Sequence, residues 1–240
     1  MRILPQAFRG AAVGASAVVL AVSSLGGCSH PTAPGTAAKP APSATSVAAG
    51  TVVWPGPQPS SADEARAQLA ALTVAQPRPM TGYSRDRFPH WNMQGQGCDT
   101  REVILKRDGQ SVSTDAKCRA TSGSWTSVYD GLVINDATKI DIDHVVPLAA
   151  AWRAGADSWT DDQRSALAND LTRPQLAPVS SASNRSKGDQ MADAWKPPVK
   201  DAWCPYAKAQ VNVLAFYKLT VTEAQRTAFG QMIDTCPAGS

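Results

Sequence analysis

The chain has 240 residues, with 23 Lys and Arg against 20 Asp and Glu, a formal charge of +3. That surplus comes from Arg2, Arg9 and Lys39, because the first fifty residues contain no Asp or Glu, so the remainder is formally neutral. Bulk positive charge is therefore excluded as a source of nucleic-acid affinity, and any such binding must rest on a local patch.

The N-terminus carries Arg2 and Arg9, an apolar run from Ala11 to Leu20, and then Leu25-Gly26-Gly27-Cys28. This reads as a secretion signal over residues 1–28, too short in its apolar part for a mature transmembrane helix. The small residues before Cys28 resemble a bacterial lipobox, which implies lipidation of Cys28 and an extracytoplasmic protein touching the membrane through its lipid anchor alone. Ordinary cleavage nearby would instead release a secreted protein. Residues 29–59 are rich in Pro, Ala, Ser, Thr and Gly with almost no charge, which predicts a disordered tether containing an inert His30. Residues 60–240 are long enough for one domain with one core.

Asp63 to Val74 reads as a short helix ended by Pro77 and Pro79. Asp99 with Glu102 resembles a capping box, favouring a helix through Arg107 over a strand at Val103-Ile104-Leu105. Strands are expected at Ser111–Arg119 and Ser124–Tyr129, bounded by Gly123 and Asp130-Gly131. Lys139 to Val146 alternates Ile140, Ile142 and Val145 with polar residues and reads as a strand ending at Pro147. Ala149 to Ala154 reads as a helical turn or two, and Thr160 as the start of a helix to about Leu171. Asp157, Asp161, Asp162 and Asp170 lack the spacing of a calcium loop, so they read as a solvated, N-terminally acidic helix. Leu176 to Val179 reads as a strand, followed by a polar helix bearing Asn184 and ending before Pro197-Pro198. Trp125, Trp152 and Trp195 are expected in the core.

Without Cys28, four cysteines remain, and in an exported chain they read as two disulfides. Pro205 to Leu219 looks helical, and Thr222 with Gln225 caps a second helix whose Ala224, Ala228, Phe229, Met232 and Ile233 share a face. Two short-linked helices pack antiparallel. The start of the first then lies beside the end of the second, which pairs Cys204 with Cys236 and leaves Cys98 for Cys118.

The chemistry is concentrated in Asp141-Ile142-Asp143-His144-Val145-Val146-Pro147, then Leu176-Ala177-Pro178-Val179, then Asn184-Arg185-Ser186-Lys187-Gly188-Asp189. Adjacent strand residues point to opposite faces, so Asp143 can hold a cation while His144 faces water. Phosphodiester hydrolysis needs an activated water and a stabilised leaving oxygen. A neutral imidazole supplies the first, and an oxygen-ligated divalent ion supplies the second. Asp143 and the Asn184 carbonyl are hard ligands suited to one Mg²⁺, with Mn²⁺ or Ca²⁺ as alternatives. Arg101, Arg185 and Lys187 are the candidates for phosphate contacts, with surface ion pairs to Asp189 and Asp193 as the competing reading. Asp141 is read either as a supporting partner of the site or as a solvated strand position, and His90 as a histidine packed beside Trp91, with a substrate phosphate contact as the competing reading.

Asp143-His144-Val145-Val146-Pro147-Leu148 through Asn184-Arg185-Ser186-Lys187 resembles the HNH endonuclease family, in particular the branch containing the C-terminal domain of GmrSD-type restriction enzymes. The likeness extends over Gly82-Tyr83-Ser84-Arg85, Phe88-Pro89-His90-Trp91, Cys98-Asp99-Thr100-Arg101, Gly123-Ser124-Trp125 and Trp152-Arg153-Ala154-Gly155-Ala156. It implies an α+β fold in which a ββα-metal (HNH, His-Me finger) core is decorated with helices and stapled by disulfides. It also implies His144 as general base, Asp143 and Asn184 as ligands of one divalent metal, and a nucleic-acid substrate, DNA in the first place with RNA as the alternative; no protein partner is indicated. The middle Asn of the family pattern has no secure counterpart, and Asn169 is the candidate. The alternative function is a non-catalytic surface lipoprotein using the same fold as a binding module. A histidine-based zinc hydrolase would have to combine His90 with His144 and finds no further histidine.

Overall fold

Helix starts follow the capping residues. In the computed structural model, which describes residues 52–239, the Ser61 hydroxyl accepts from the Glu64 amide and opens α1 (Ala62–Ala71). Asp99 accepts from the Glu102 amide at 2.8 Å and opens α2 (Thr100–Asp108), so the helix prevails over the strand for Val103-Ile104-Leu105. Full capping boxes at Thr160 with Gln163 and at Thr222 with Gln225 open α4 (Asp161–Ala168) and α7 (Glu223–Ile233). The remaining helices are α3 (Leu148–Arg153), ahead of α4, and α5 (Ser181–Lys187) and α6 (Trp203–Phe216), between α4 and α7.

The described residues all fall within the unit Ser46–Ser240. The expected signal segment, the expected lipidation site Cys28, His30 and most of the expected tether lie outside them. The last residues of the expected tether belong to the folded body. Trp54 is buried in the main core and Gln58 donates to its carbonyl at 2.8 Å, so the domain begins before Ser60.

The strands are short and form three antiparallel groups. β1 (Met93–Gly95) pairs with β2 (Cys98–Asp99), and β3 (Gln110–Thr114), β4 (Ala120–Thr126) and β5 (Val133–Ile134) form a meander. β6 (Ile140–His144) pairs with β7 (Leu176–Ser180) across the long connection 145–175. The expected strand Ser111–Arg119 stops at Thr114, because Asp115 accepts from the amides of Lys117 and Arg119 and folds the chain back there. Gly123 lies inside β4 and does not bound it. A Cβ at Gly123 would sit 2.7 Å from the Trp125 ring, and φ is +151°. The glycine thus admits the indole whose Nε1 donates to the Leu105 carbonyl.

Two cores flank the β6–β7 ladder. Ile104, Leu105, Trp125, Ile140, Ile142 and Leu176 form the smaller one, between α2 and the meander. The larger contains Ala177, Val179, Val145 and Val146 together with the inward faces of α1, α6 and α7. Period-two alternation assigns Ile140, Ile142 and His144 to one face of β6 and Asp141 and Asp143 to the other. The disulfides are Cys98–Cys118 and Cys204–Cys236, with Cα separations of 5.1 and 5.0 Å, as the antiparallel α6–α7 pair requires.

Candidate functional site

β6 ends where the side chains needed for chemistry begin to converge. Asp143 and His144 lie at its C-terminal end, and their ladder partners Ala177 and Leu176 hand the chain along β7 to α5, which carries Asn184. Asp143, His144 and Asn184 line one cleft of about 290 Å³, together with Tyr83, Arg85 and Asp189.

His144 is 4 % exposed, and its Nε2 donates to the Ala168 carbonyl at 2.9 Å. The carbonyl can only accept, so the proton sits on Nε2 and the lone pair on Nδ1. Burial pushes the imidazole down to about 3, with Arg85, His90 and Lys187 adding to the effect and the Ala168 carbonyl opposing it. The metal-free side chain is a neutral base of fixed tautomer. The His90 ring stands 6.0 Å from it and the Trp91 ring 5.5 Å, while His90 Nδ1 is hydrogen-bonded to the Phe88 carbonyl at 2.7 Å. His90 is thus packed beside Trp91, as expected.

Asn169 secures this wall from behind. Its Nδ2 donates to the Pro89 carbonyl at 2.8 Å, and its Oδ1 accepts from the Asn92 amide at 2.9 Å and the Thr100 hydroxyl at 2.7 Å. The amide therefore clamps both ends of His90-Trp91, where Trp91 holds a φ of +60°. Asn169 follows directly on Ala168, so one turn at the end of α4 fixes both the His144 imidazole and the Trp91 ring beside it.

The opposite face of β6 is ionic. Lys187 is fully buried, and its Nζ lies 2.8 Å from Asp143 Oδ2, 3.0 Å from Oδ1 and 3.1 Å from the His144 carbonyl. Tyr129 donates to Asp143 Oδ2 at 2.7 Å, and burial holds its phenol well above the usual range, so it remains a donor. Asn184 Nδ2 donates to Asp141 Oδ2 at 2.9 Å, and Ser181 donates to Oδ1 at 2.9 Å. Because a carboxylate only accepts, Asp141 binds the amide nitrogen and leaves the Asn184 carbonyl oxygen for the cleft. Asp141 is thus the partner of Asn184, which settles between its two readings.

Two of the three expected phosphate contacts are corrected. Lys187 faces the interior and is consumed by Asp143, so it has no donor for solvent. Arg101 donates to the Ala137 and Ile140 carbonyls at 3.0 Å each, bracing the start of β6 at the end remote from His144. Arg185 is exposed. Trp125 and Trp152 are buried, whereas Trp195 is only partly so, set against Tyr129 and Tyr206. Arg85 also lines the cleft, and its only signal in the sequence is its place in Gly82-Tyr83-Ser84-Arg85.

Among the described residues no three His, Cys, Asp or Glu side chains converge as a metal cage. The oxygen donors lining the cleft include the Asp143 and Asp189 carboxylates, the latter paired with Arg153, and the Asn184 amide; Asp143 with the Asn184 carbonyl fits one hard cation completed by water and substrate oxygens better than zinc.

No solved structure matches the chain. A protein of Arthroderma benhamiae, described as an uncharacterized secreted protein, is 48 % identical over 187 residues, covering 76 % of this chain and 92 % of that one. The sequence pattern of the GmrSD restriction endonucleases, C-terminal domain, matches residues 100–232, a span that contains β6, β7, α5 and every residue of the cleft except Tyr83 and Arg85. The chain belongs to the family of the GmrSD restriction endonuclease C-terminal domains.

Proposed function

We propose that the protein is a metal-dependent HNH endonuclease that hydrolyses phosphodiester bonds of DNA or RNA outside the cytoplasmic membrane. The observation that carries this reading is the neutral His144 with Nδ1 unprotonated in the cleft that Asp143 and Asn184 also line. The antiparallel β6–β7 pair followed directly by α5 supports a ββα core. Family membership supports the reaction class, and the secreted relative supports export, with Cys28 as the proposed lipid anchor.

In this mechanism His144 Nδ1 accepts the proton of the attacking water, and the Ala168 carbonyl stabilises the imidazolium that forms on the other nitrogen. Asp143 and the Asn184 carbonyl would hold one Mg²⁺, which when bound supplies charge stabilisation for the departing oxygen. Tyr129 and Lys187 fix the Asp143 carboxylate, and Asp141 fixes Asn184, so neither must reorganise. Arg185, at the exposed surface of α5, contributes to phosphate binding.

A second reading rests on the same ion pair. Lys187 cancels the charge of Asp143, which lowers its attraction for a cation and suits a binding module without turnover. Incubating the purified protein with plasmid and Mg²⁺ or Mn²⁺, with and without chelator, separates the two. Cleavage abolished by chelator, and reduced about 10²- to 10⁴-fold in His144→Ala, supports the nuclease. Cleavage at the wild-type rate by His144→Ala removes the assigned base.

A further inference from the structure

We infer that Arg85 grips a non-bridging phosphate oxygen of the substrate, making the mouth of the cleft a single-phosphate subsite. This rests on the nuclease reading and names the anion-binding residue within it. The cations near the cleft divide by partner. Lys187 is buried against Asp143, and Arg153 lies 3.2 Å from Asp189. Arg85 lines the same cleft, is exposed, and makes no ion pair or side-chain hydrogen bond among the described residues. The cleft therefore holds compensated carboxylates and one uncompensated guanidinium, the charge state that accepts one phosphodiester anion.

Its backbone is held rigid while its side chain is left unpaired. Arg85 opens a 3-10 turn, Arg85–Arg87, that ends at the fully buried Phe88. Phe88 and Tyr83 both pack against Trp152, at ring separations of 6.3 and 5.8 Å. The buried Arg164 donates to the Arg87 carbonyl at 2.7 Å, and Asn169 holds the Pro89 carbonyl. Fixed backbone reduces the ordering cost of an arginine–phosphate contact, and a guanidinium matches two phosphate oxygens where an ammonium meets one.

The test is fluorescence anisotropy of a labelled oligonucleotide in EDTA, where no turnover occurs, across a salt series. Arg85→Ala should weaken binding about 10- to 100-fold, the loss expected for one charge-assisted contact. The slope of log K against log salt should fall by about 0.7 to 0.9, the value of one phosphate. Arg85→Lys should be intermediate. Arg66→Ala, on α1 and paired with Asp63 and Asp234, controls for lost charge and should bind as wild type. Arg85→Ala binding with wild-type affinity and slope, or an equal loss in Arg66→Ala, overturns the subsite alone. A wild-type protein that neither binds nor cleaves any nucleic acid overturns the nuclease reading as well.

Discussion

Replacing Lys187 by Met tests how the ionic face of β6 is held together. The ammonium lies 2.8 Å from Asp143 Oδ2 with the two side chains 0 % and 7 % exposed, so solvent screens the pair little. At an effective dielectric of about 20, the bare attraction at that distance is about 6 kcal/mol, offset by the desolvation of both ions. Removing only the lysine strands a buried carboxylate with Tyr129 as its remaining side-chain donor, a change that costs about 3–5 kcal/mol. That is a large share of the roughly 5–15 kcal/mol available to a domain, equivalent to a drop in Tm on the order of 10 °C. Asp143→Asn alone should be costly for the reciprocal reason. The double variant Asp143→Asn with Lys187→Met leaves no stranded charge and should cost less than the two single losses combined, by about 1–3 kcal/mol. Urea unfolding with the disulfides intact measures all three. A single-variant cost below about 1 kcal/mol, or strictly additive losses, would refute the assignment of Lys187 to the interior.

Three further outcomes are expected. In metal-free protein the His144 ring should not titrate by NMR between pH 5 and 8, because its folded pKa lies near 3 and its unfolded value near 6.5. The unfolded chain then binds the extra proton between those values, so this group's contribution to stability is complete above about pH 6.5 and declines as pH falls toward 3; a His144 titration midpoint near 6.5 would contradict the burial. Replacing Cys204 and Cys236 together by Ser should destabilise by about 4 kcal/mol, since their sequence separation is 32, and non-reducing peptide mapping should recover no crossed pairing in the wild type. Asn169→Ala should abolish slow hydrogen exchange at the Asn92 amide, which donates to its Oδ1, while the α6–α7 amides stay protected; unchanged exchange at Asn92 would dissolve the clamp.

The parts legible in the sequence are those with local causes. Thr222 and Gln225 meet through three residues of chain, and the antiparallel return of the helix they open forces Cys204 against Cys236. Asp143 and His144 diverge because adjacent strand residues must. Contacts made across long stretches of chain left no such trace. Lys187 sits in a polar seven-residue helix that reads as solvated, and nothing local reveals that Asp143, 44 positions earlier, draws it inside. Arg101 looked free for phosphate because the carbonyls it braces, Ala137 and Ile140, have no side-chain signature. Trp54 was assigned to the tether by the composition around it, yet its own indole is apolar enough to join the core.

The turn at Ala168-Asn169 belongs to the connection 145–175, which separates two strands that are neighbours in the ladder and looks removable on topological grounds. The connection nevertheless supplies Val145, Val146, Trp152 and Leu167 to the larger core, so only a local change that turns the Ala168 carbonyl away would delete the acceptor that selects one imidazole tautomer and keep the fold. The ring would then share its proton between two nitrogens, and only molecules with Nδ1 bare would be competent to take another. Such a protein would keep the β6–β7 ladder and hold two chemically distinct populations, separable by the nitrogen shifts of one ring.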